Sequence, residues 1–166
     1  MTRVLWRLIL LAAVVFVAIW LWRHFFPGPE QAIRKNLAEL AQAACVTPNE
    51  APVTKLSNTL KIASLFAEDA ELTLDVPGQL KQTISGRENI RTAVAGARSM
   101  VTSLKVEFLD VDVNLSSDKR SAAVRLTAKG DIPGETTPQV QELKADLKYI
   151  DGHWLIYHAE TVKTLH

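Results

Sequence analysis

The sequence has one cysteine, few aromatic residues and almost no net charge. With only Cys45, no internal disulfide can form, and histidines at positions 24, 153, 158 and 166 give no structural-zinc spacing. A net charge of +1 and an aromatic content of 7% offer no basic, aromatic-rich surface, so nucleic-acid binding is not expected. A nucleophile elbow, a phosphate-binding loop and a dinucleotide fingerprint are all absent, so we expect no cofactor and no metal.

A single long apolar segment runs from Val4 to Trp22 and is interrupted only by Arg7. As a helix rising about 1.5 Å per residue it would span roughly 28 Å, close to the hydrocarbon thickness of a bilayer. Three of the four tryptophans lie at its ends, where indole rings favour the headgroup zone. We therefore predict a transmembrane signal anchor within residues 1–27, with the membrane as a partner through residues 4–22.

The alternative to a retained anchor is a cleaved signal peptide. No pair of small residues follows the apolar segment, which favours retention. Basic residues are nearly balanced across the segment, with Arg3 and Arg7 at its start and Arg23, Arg34 and Lys35 after it. Because so short a tail usually stays in the cytoplasm, we predict a single-pass inner-membrane protein whose folded part is extracytoplasmic.

In residues 28–166 the apolar residues first repeat at helical spacing and then alternate with a period of two. This pattern predicts one α+β domain. Ser85 and Glu88 have the spacing of a capping box, which would begin the third helix. A run of helices followed by a run of strands is typical of a fold in which the helices pack on one apolar face of a sheet. The predicted elements are helices at 30–44 and 54–66, a strand at 71–76, a short helix after Ser85, and strands at 104–113, 122–129, 142–149 and 153–162.

Three phrases in this order resemble the nuclear transport factor 2-like superfamily, also called SnoaL-like or cystatin-like domains. They are residues 65–72, 84–90 and 151–156. The resemblance covers roughly residues 30–165 and implies a curved antiparallel sheet wrapped around helices, a cone with a pocket inside. This fold hosts isomerases, cyclases, dehydratases, transport adaptors and scaffolds, so the resemblance implies a fold and no single activity.

Enzymes of that superfamily carry acid–base groups on the strand faces that line the cone. By strand parity, His158 should share the side of Trp154 and Ile156 and could act as a base, with Glu160 on the same face. Tyr149 continues the apolar face of its strand, and its hydroxyl could stabilise an oxyanion. Each has a structural alternative: a packed histidine, a polar strand end and a core-edge tyrosine. The tyrosine–aspartate arrangement of ketosteroid isomerases has no positional match in this sequence.

Two acidic residues and one apolar face raise further questions. Asp110 and Asp112 share the strand parity of the apolar residues Val106 and Phe108. The two carboxylates could form a functional pair, or they could mark the place where the strand passes beyond the helices. The adjacent Phe108 and Leu109 break the alternation, which indicates either a β-bulge or a strand buried on both faces. On the last strand, the face opposite Trp154 carries residues that would suit a homodimer, namely Leu155, Tyr157 and Ala159.

Two functions fit these observations. The first is a membrane-anchored, non-catalytic module that binds a protein partner or an apolar small ligand at the membrane surface. The second is a small acid–base enzyme of the isomerase, cyclase or dehydratase type that uses the cone pocket. A tether adds little for a soluble substrate but concentrates a scaffold beside membrane partners, which favours the first.

Overall fold

The computed structural model describes residues 15–17, 28–75, 81–134 and 136–162. The predicted membrane anchor lies outside these ranges except for residues 15–17, which are helical. Within the described residues, no helix combines the length and the apolar character that a bilayer crossing requires. The anchor and the division of the chain at residue 27 therefore stay predictions.

Two helices open the described domain, α1 (Pro29–Ala44) and α2 (Pro52–Ser64). Each begins at a proline, which suits the first helical position because its missing N–H has no partner there. The predicted apolar stripe of α1 is confirmed: Ile33, Leu37 and Ala41 are buried. After α1 the chain turns away through Val46, whose N–H donates to the carbonyl of Leu104 at 2.8 Å.

The remaining elements form a six-stranded sheet and a third helix. They are β1 (Phe66–Leu74), β2 (Gln82–Ser85), α3 (Arg87–Met100), β3 (Lys105–Leu115), β4 (Ser121–Asp131), β5 (Gln139–Ile150) and β6 (His153–Val162). The strand order is β2-β1-β6-β5-β4-β3. The α+β class is confirmed, and register shifts in β1, β3 and at the β5–β6 pair bend the sheet around the helices.

The sheet is mixed, so the predicted antiparallel sheet is wrong in one pairing. β1 runs parallel to β6, with Leu72 opposite Ala159. Short turns in the sequence fix the direction only of strands that they join. β1 and β6 are separated by four strands and α3, and no local signal could give their relative direction.

The junction between β1 and α3 also differs from the prediction. β1 begins at Phe66, in residues predicted as the end of α2, and β2 was not predicted. The capping box is wrong, because Ser85 ends β2 and the N-cap of α3 is Gly86, with no side-chain cap. Glu88 instead pairs with Arg91 at 2.7 Å on the surface of α3.

Gly86 provides the first testable prediction. Its φ of +88° and ψ of 138° lie where L side chains are strained, while its N–H donates to the Ala70 carbonyl at 2.7 Å. We expect Gly86→Ala to lower the free energy of unfolding by about 1–3 kcal/mol. The control is Gly96→Ala, inside α3 with open space at the added Cβ, which should raise it by about 0.5–1 kcal/mol. Urea denaturation would measure both; equal effects would contradict the assignment of strain to Gly86.

One apolar core joins the sheet to all three helices. The side chains with almost no exposure are Ile33 of α1, Ile90 of α3, Val124 of β4 and Leu147 of β5. Phe66, Ala70, Leu126, Trp154 and Ile156 complete the same cluster. The inner face of the sheet therefore packs directly on helices.

A buried ion pair holds the helices together at the other end of α1. Arg98 of α3 and Glu50 of the α1–α2 loop have side chains 7% and 5% exposed, with the guanidinium 2.8 and 3.0 Å from the two carboxylate oxygens. The guanidinium also donates to the carbonyls of Ala43 and Cys45, and Asn58 of α2 donates to Glu50 at 2.8 Å. Nothing in the sequence pattern indicated this cluster.

Candidate functional site

The register of β6 decides where the predicted catalytic residues point. Leu147 pairs with Ile156 and Asp146 pairs with His158, so Tyr157 is an extra residue in a β-bulge. A bulge reverses the parity of all later residues on its strand. Trp154 and Ile156 lie inside, whereas His158 lies on the outer face beside Asp146. The predicted side of His158 is therefore wrong.

Glu160 follows His158 onto the outer face, where it pairs with Lys144 of β5. The His158 Nε2 lies 4.0 Å from a Glu160 carboxylate oxygen, and both side chains are partly exposed. Among the described residues, no group of three or more histidine, cysteine or acidic side chains is placed to hold a metal ion. The pair therefore lies on the outer face of the sheet, with the two side chains 32% and 38% exposed.

Tyr149, the third candidate, lies at the opposite end of β5. It pairs with Trp154, and the two ring centroids are 5.4 Å apart. The prediction that Tyr149 continues the inner, apolar face is confirmed, although its side chain is 41% exposed at the rim of the domain. The fold therefore does not bring Tyr149 together with His158 and Glu160.

Of the two alternatives for β3, the bulge is the one confirmed, and it removes the acidic pair from the inner face. The register shifts between Leu109 and Asp112, and Asp110 has a φ of +51°. Beyond the shift, Val111 and Val113 pack on the core while Asp110 and Asp112 are exposed. The parity that placed the two aspartates beside Val106 does not continue through the bulge.

The bulge in β6 also divides the predicted dimer face. Lys148, which is exposed, pairs with Leu155 and lies 4.0 Å from the centre of the Tyr157 ring. By register Leu155 shares the outer face with Lys148, although both Leu155 and Tyr157 are only partly exposed and contact the core cluster. Ala159 pairs with Ala145 and packs towards the core, so its predicted placement is wrong. Homodimer formation stays a prediction.

A long concave surface lies between α1 and β6. It consists of two recesses of about 710 and 420 Å³. Both are lined by Asn36, Glu39, His153 and Trp154, so they form one feature, which we name the α1–β6 groove. The Asn36 side-chain amide donates to the Trp154 carbonyl at 3.1 Å and fixes α1 against β6 along its floor.

The two ends of the α1–β6 groove carry opposite charge. The larger recess has exposed Glu68 and Asp69 at its edge, with Arg87 held by the Phe66 carbonyl at 2.8 Å. The smaller recess has Lys35 and Lys119. The part that both recesses share is largely polar, with Asn36, Glu39 and His153 beside the nearly buried Trp154.

Sequence reasoning missed this groove for a physical reason. Its walls come from α1, the α2–β1 junction, the β3–β4 turn and the β5–β6 turn, which are far apart in the chain. The sequence predicted only that Trp154 and Ile156 share one side of the last strand. It carried no signal that α1 would leave an open channel beside that strand.

Comparison with known proteins agrees with this architecture. No protein-family model and no curated protein matches the chain. A nuclear transport factor 2-like protein of unknown function from Pseudomonas putida KT2440 matches with a TM-score of 0.65 and 13% identity, covering 82% of this chain and 87% of that chain. A second such protein, with a cystatin-like fold, from Novosphingobium aromaticivorans matches with a TM-score of 0.63 and 15% identity, covering 91% and 86%.

A third match is a provisionally assigned scytalone dehydratase from Novosphingobium aromaticivorans. Its TM-score is 0.61 at 16% identity, covering 82% of this chain and 84% of that chain. Identities this low establish the fold alone. The chain therefore has the nuclear transport factor 2-like, cystatin-like α+β fold, which confirms the resemblance in fold.

Proposed function

We propose that this protein is a membrane-anchored, non-catalytic binding module that holds a segment of a protein partner in the α1–β6 groove. The observation that carries the proposal is the filled interior of the cone. Ile33, Ile90, Val124 and Leu147 are all but completely buried and belong to one cluster between the helices and the sheet. A fold of this kind with no open interior can still bind ligands on its surface.

Apart from Arg98 Nε, the buried polar side-chain atoms of the described domain have hydrogen-bond partners. Thr59 donates to the Lys55 carbonyl at 2.8 Å, and Thr73 shares a hydrogen bond of 3.2 Å with Thr83. Arg98 is bound to Glu50. Since His158 and Glu160 lie on the outer face and Tyr149 lies at the exposed rim, these contacts favour a packed core over a reaction chamber.

The apolar segment at residues 4–22 supplies the second half of the proposal. A chain anchored there would keep the domain beside membrane partners, on the extracytoplasmic side of the inner membrane. Confinement of this kind raises the effective concentration of a partner without any new contact. A surface groove with charged ends then needs only moderate affinity to be occupied.

An acid–base enzyme is the second candidate, and the observation that favours it is the close approach of His158 and Glu160. The scytalone dehydratase assignment belongs to the matched structure and bears on this chain only through the shared fold. Turnover of candidate substrates by wild type and His158→Ala would test it. Equal rates would end the candidacy of His158 as a base.

Affinity capture from gently solubilised membranes, with quantitative mass spectrometry, tests the binding proposal. We expect Glu68→Lys and His153→Glu, both on exposed groove residues, to reduce recovery of the co-purifying partner by about tenfold, which corresponds to about 1.4 kcal/mol. Glu160→Lys reverses a charge on the outer face and should leave recovery unchanged. If all three variants retain the same partners as wild type, the groove is not the binding site.

A further inference from the structure

Three parts of the fold meet at the start of α1. Pro29 of α1, Lys119 of the β3–β4 turn and Gly152 of the β5–β6 turn all line the smaller recess of the groove. The Tyr149 N–H donates to the Arg120 carbonyl at 2.8 Å and joins the two turns. We name this end of the domain, residues 29–35, 118–120 and 148–153, the proximal rim.

The proximal rim contains the start of α1, which follows the predicted anchor most closely along the chain. Pro29 lies seven positions after Trp22, and seven extended residues reach at most about 25 Å. The 16 residues of α1 then carry the chain about 24 Å along the helix to its other end. With Trp22 at the bilayer surface, the rim therefore stays within reach of the headgroups, whereas the start of α2 lies one helix length further along the chain.

The chemistry of the proximal rim suits a bilayer surface. Tyr149 and Ile150 are 41% and 36% exposed, and tyrosine favours the zone between hydrocarbon and water. The rim contains five lysine or arginine residues and three acidic residues. One of the three, Asp118, already accepts hydrogen bonds from the Ser116 hydroxyl and the Arg120 N–H, which hold its pKa below the ordinary value.

We infer that the proximal rim rests on the bilayer that holds the anchor, with Tyr149 and Ile150 at the interface and Lys119 and Arg120 on anionic lipid headgroups. This inference rests on the proposed function, because it requires the anchor. It adds a fixed orientation of the domain, in which the smaller recess of the α1–β6 groove lies beside the lipid surface. A partner would then enter that groove along the membrane.

The test uses the full chain in vesicles of phosphatidylcholine and phosphatidylglycerol. Cys45→Ser removes the native thiol but keeps a group that can hydrogen-bond to Ala41 and Val106. A fluorescent label is attached through Ile150→Cys on the rim or, as control, through Val53→Cys on α2, a position 79% exposed. The probes are a lipid-borne quencher and an aqueous quencher.

We expect the lipid-borne quencher to act several-fold more strongly at position 150 than at 53. Lys119→Glu combined with Arg120→Glu should abolish that difference, as should vesicles of phosphatidylcholine alone, because anionic headgroups attract basic residues near the surface.

Protein that fails to float with vesicles would overturn the anchor and this inference together. Protein that floats but shows equal quenching at both positions would overturn the orientation alone. Protection of position 150 from both quenchers would indicate a protein partner and overturn the lipid assignment.

Discussion

Replacing Glu50 with alanine is expected to lower the free energy of unfolding by about 3–5 kcal/mol, because it leaves the Arg98 guanidinium buried without its counter-ion. Both side chains are more than nine-tenths buried, so water cannot replace the lost carboxylate. One nitrogen of that guanidinium, Nε, already has no hydrogen-bond partner within the described structure. The guanidinium therefore has no additional protein acceptor that could replace the lost Glu50 carboxylate. Chemical denaturation followed by circular dichroism would measure the change.

Two comparisons separate the buried ion pair from a general effect of charge removal. Arg91→Ala removes the partner of Glu88 in an exposed pair on α3, and it should change stability by less than about 1 kcal/mol. The double variant Glu50→Leu with Arg98→Met should recover much of the loss, because apolar replacement of both partners removes the uncompensated charge. A double variant no more stable than Glu50→Ala would contradict this explanation.

The Arg98–Glu50 pair matters for function because it joins the helices that close the cone. It connects the end of α1, the loop at Glu50 and α3, and Asn58 adds α2. The same helices fill the interior against β4, β5 and β6. We therefore expect loss of the pair to loosen the helical layer before the sheet, which hydrogen exchange would detect as reduced protection in α2 and α3.

The helices and the later strands could be predicted because their periodicity is uninterrupted. Ile33, Leu37 and Ala41 repeat at helical spacing and are buried together. The alternation in β4 likewise places Val124 and Leu126 in the core. Where sequence reasoning failed, a tertiary contact decided the structure: β1 begins at Phe66 because that residue pairs with Ile156, not because of a local preference.

The candidate site was harder to predict because a single extra residue reverses the side on which the next residues lie. Tyr157 is that residue in β6, and nothing in its immediate sequence distinguishes it from its neighbours. Leu56 and Leu60 of α2 show a related limit, since both are large apolar side chains on a helix and both are exposed. The α1–β6 groove depends on the placement of whole elements, which no local pattern encodes.

The predicted anchor allows the second prediction with a large effect. Leu11→Arg together with Val14→Arg places two charges near the middle of the apolar segment, at a cost of about 2.5–3.5 kcal/mol each when that segment lies in a bilayer. We expect the double variant to move from the membrane pellet to the supernatant after alkaline extraction, while wild type stays in the pellet. Immunoblotting of both fractions would measure the shift.

The matched control carries the same two added charges outside the apolar segment, as Thr2→Arg and His24→Arg. These side chains can reach water at either interface, so the control should stay in the pellet. Release of wild type itself by alkaline extraction would contradict a transmembrane anchor. The filled core and the α1–β6 groove would then still favour a binding module, but the argument that membrane confinement compensates for moderate affinity would no longer hold, and the groove would need a tight-binding partner in solution.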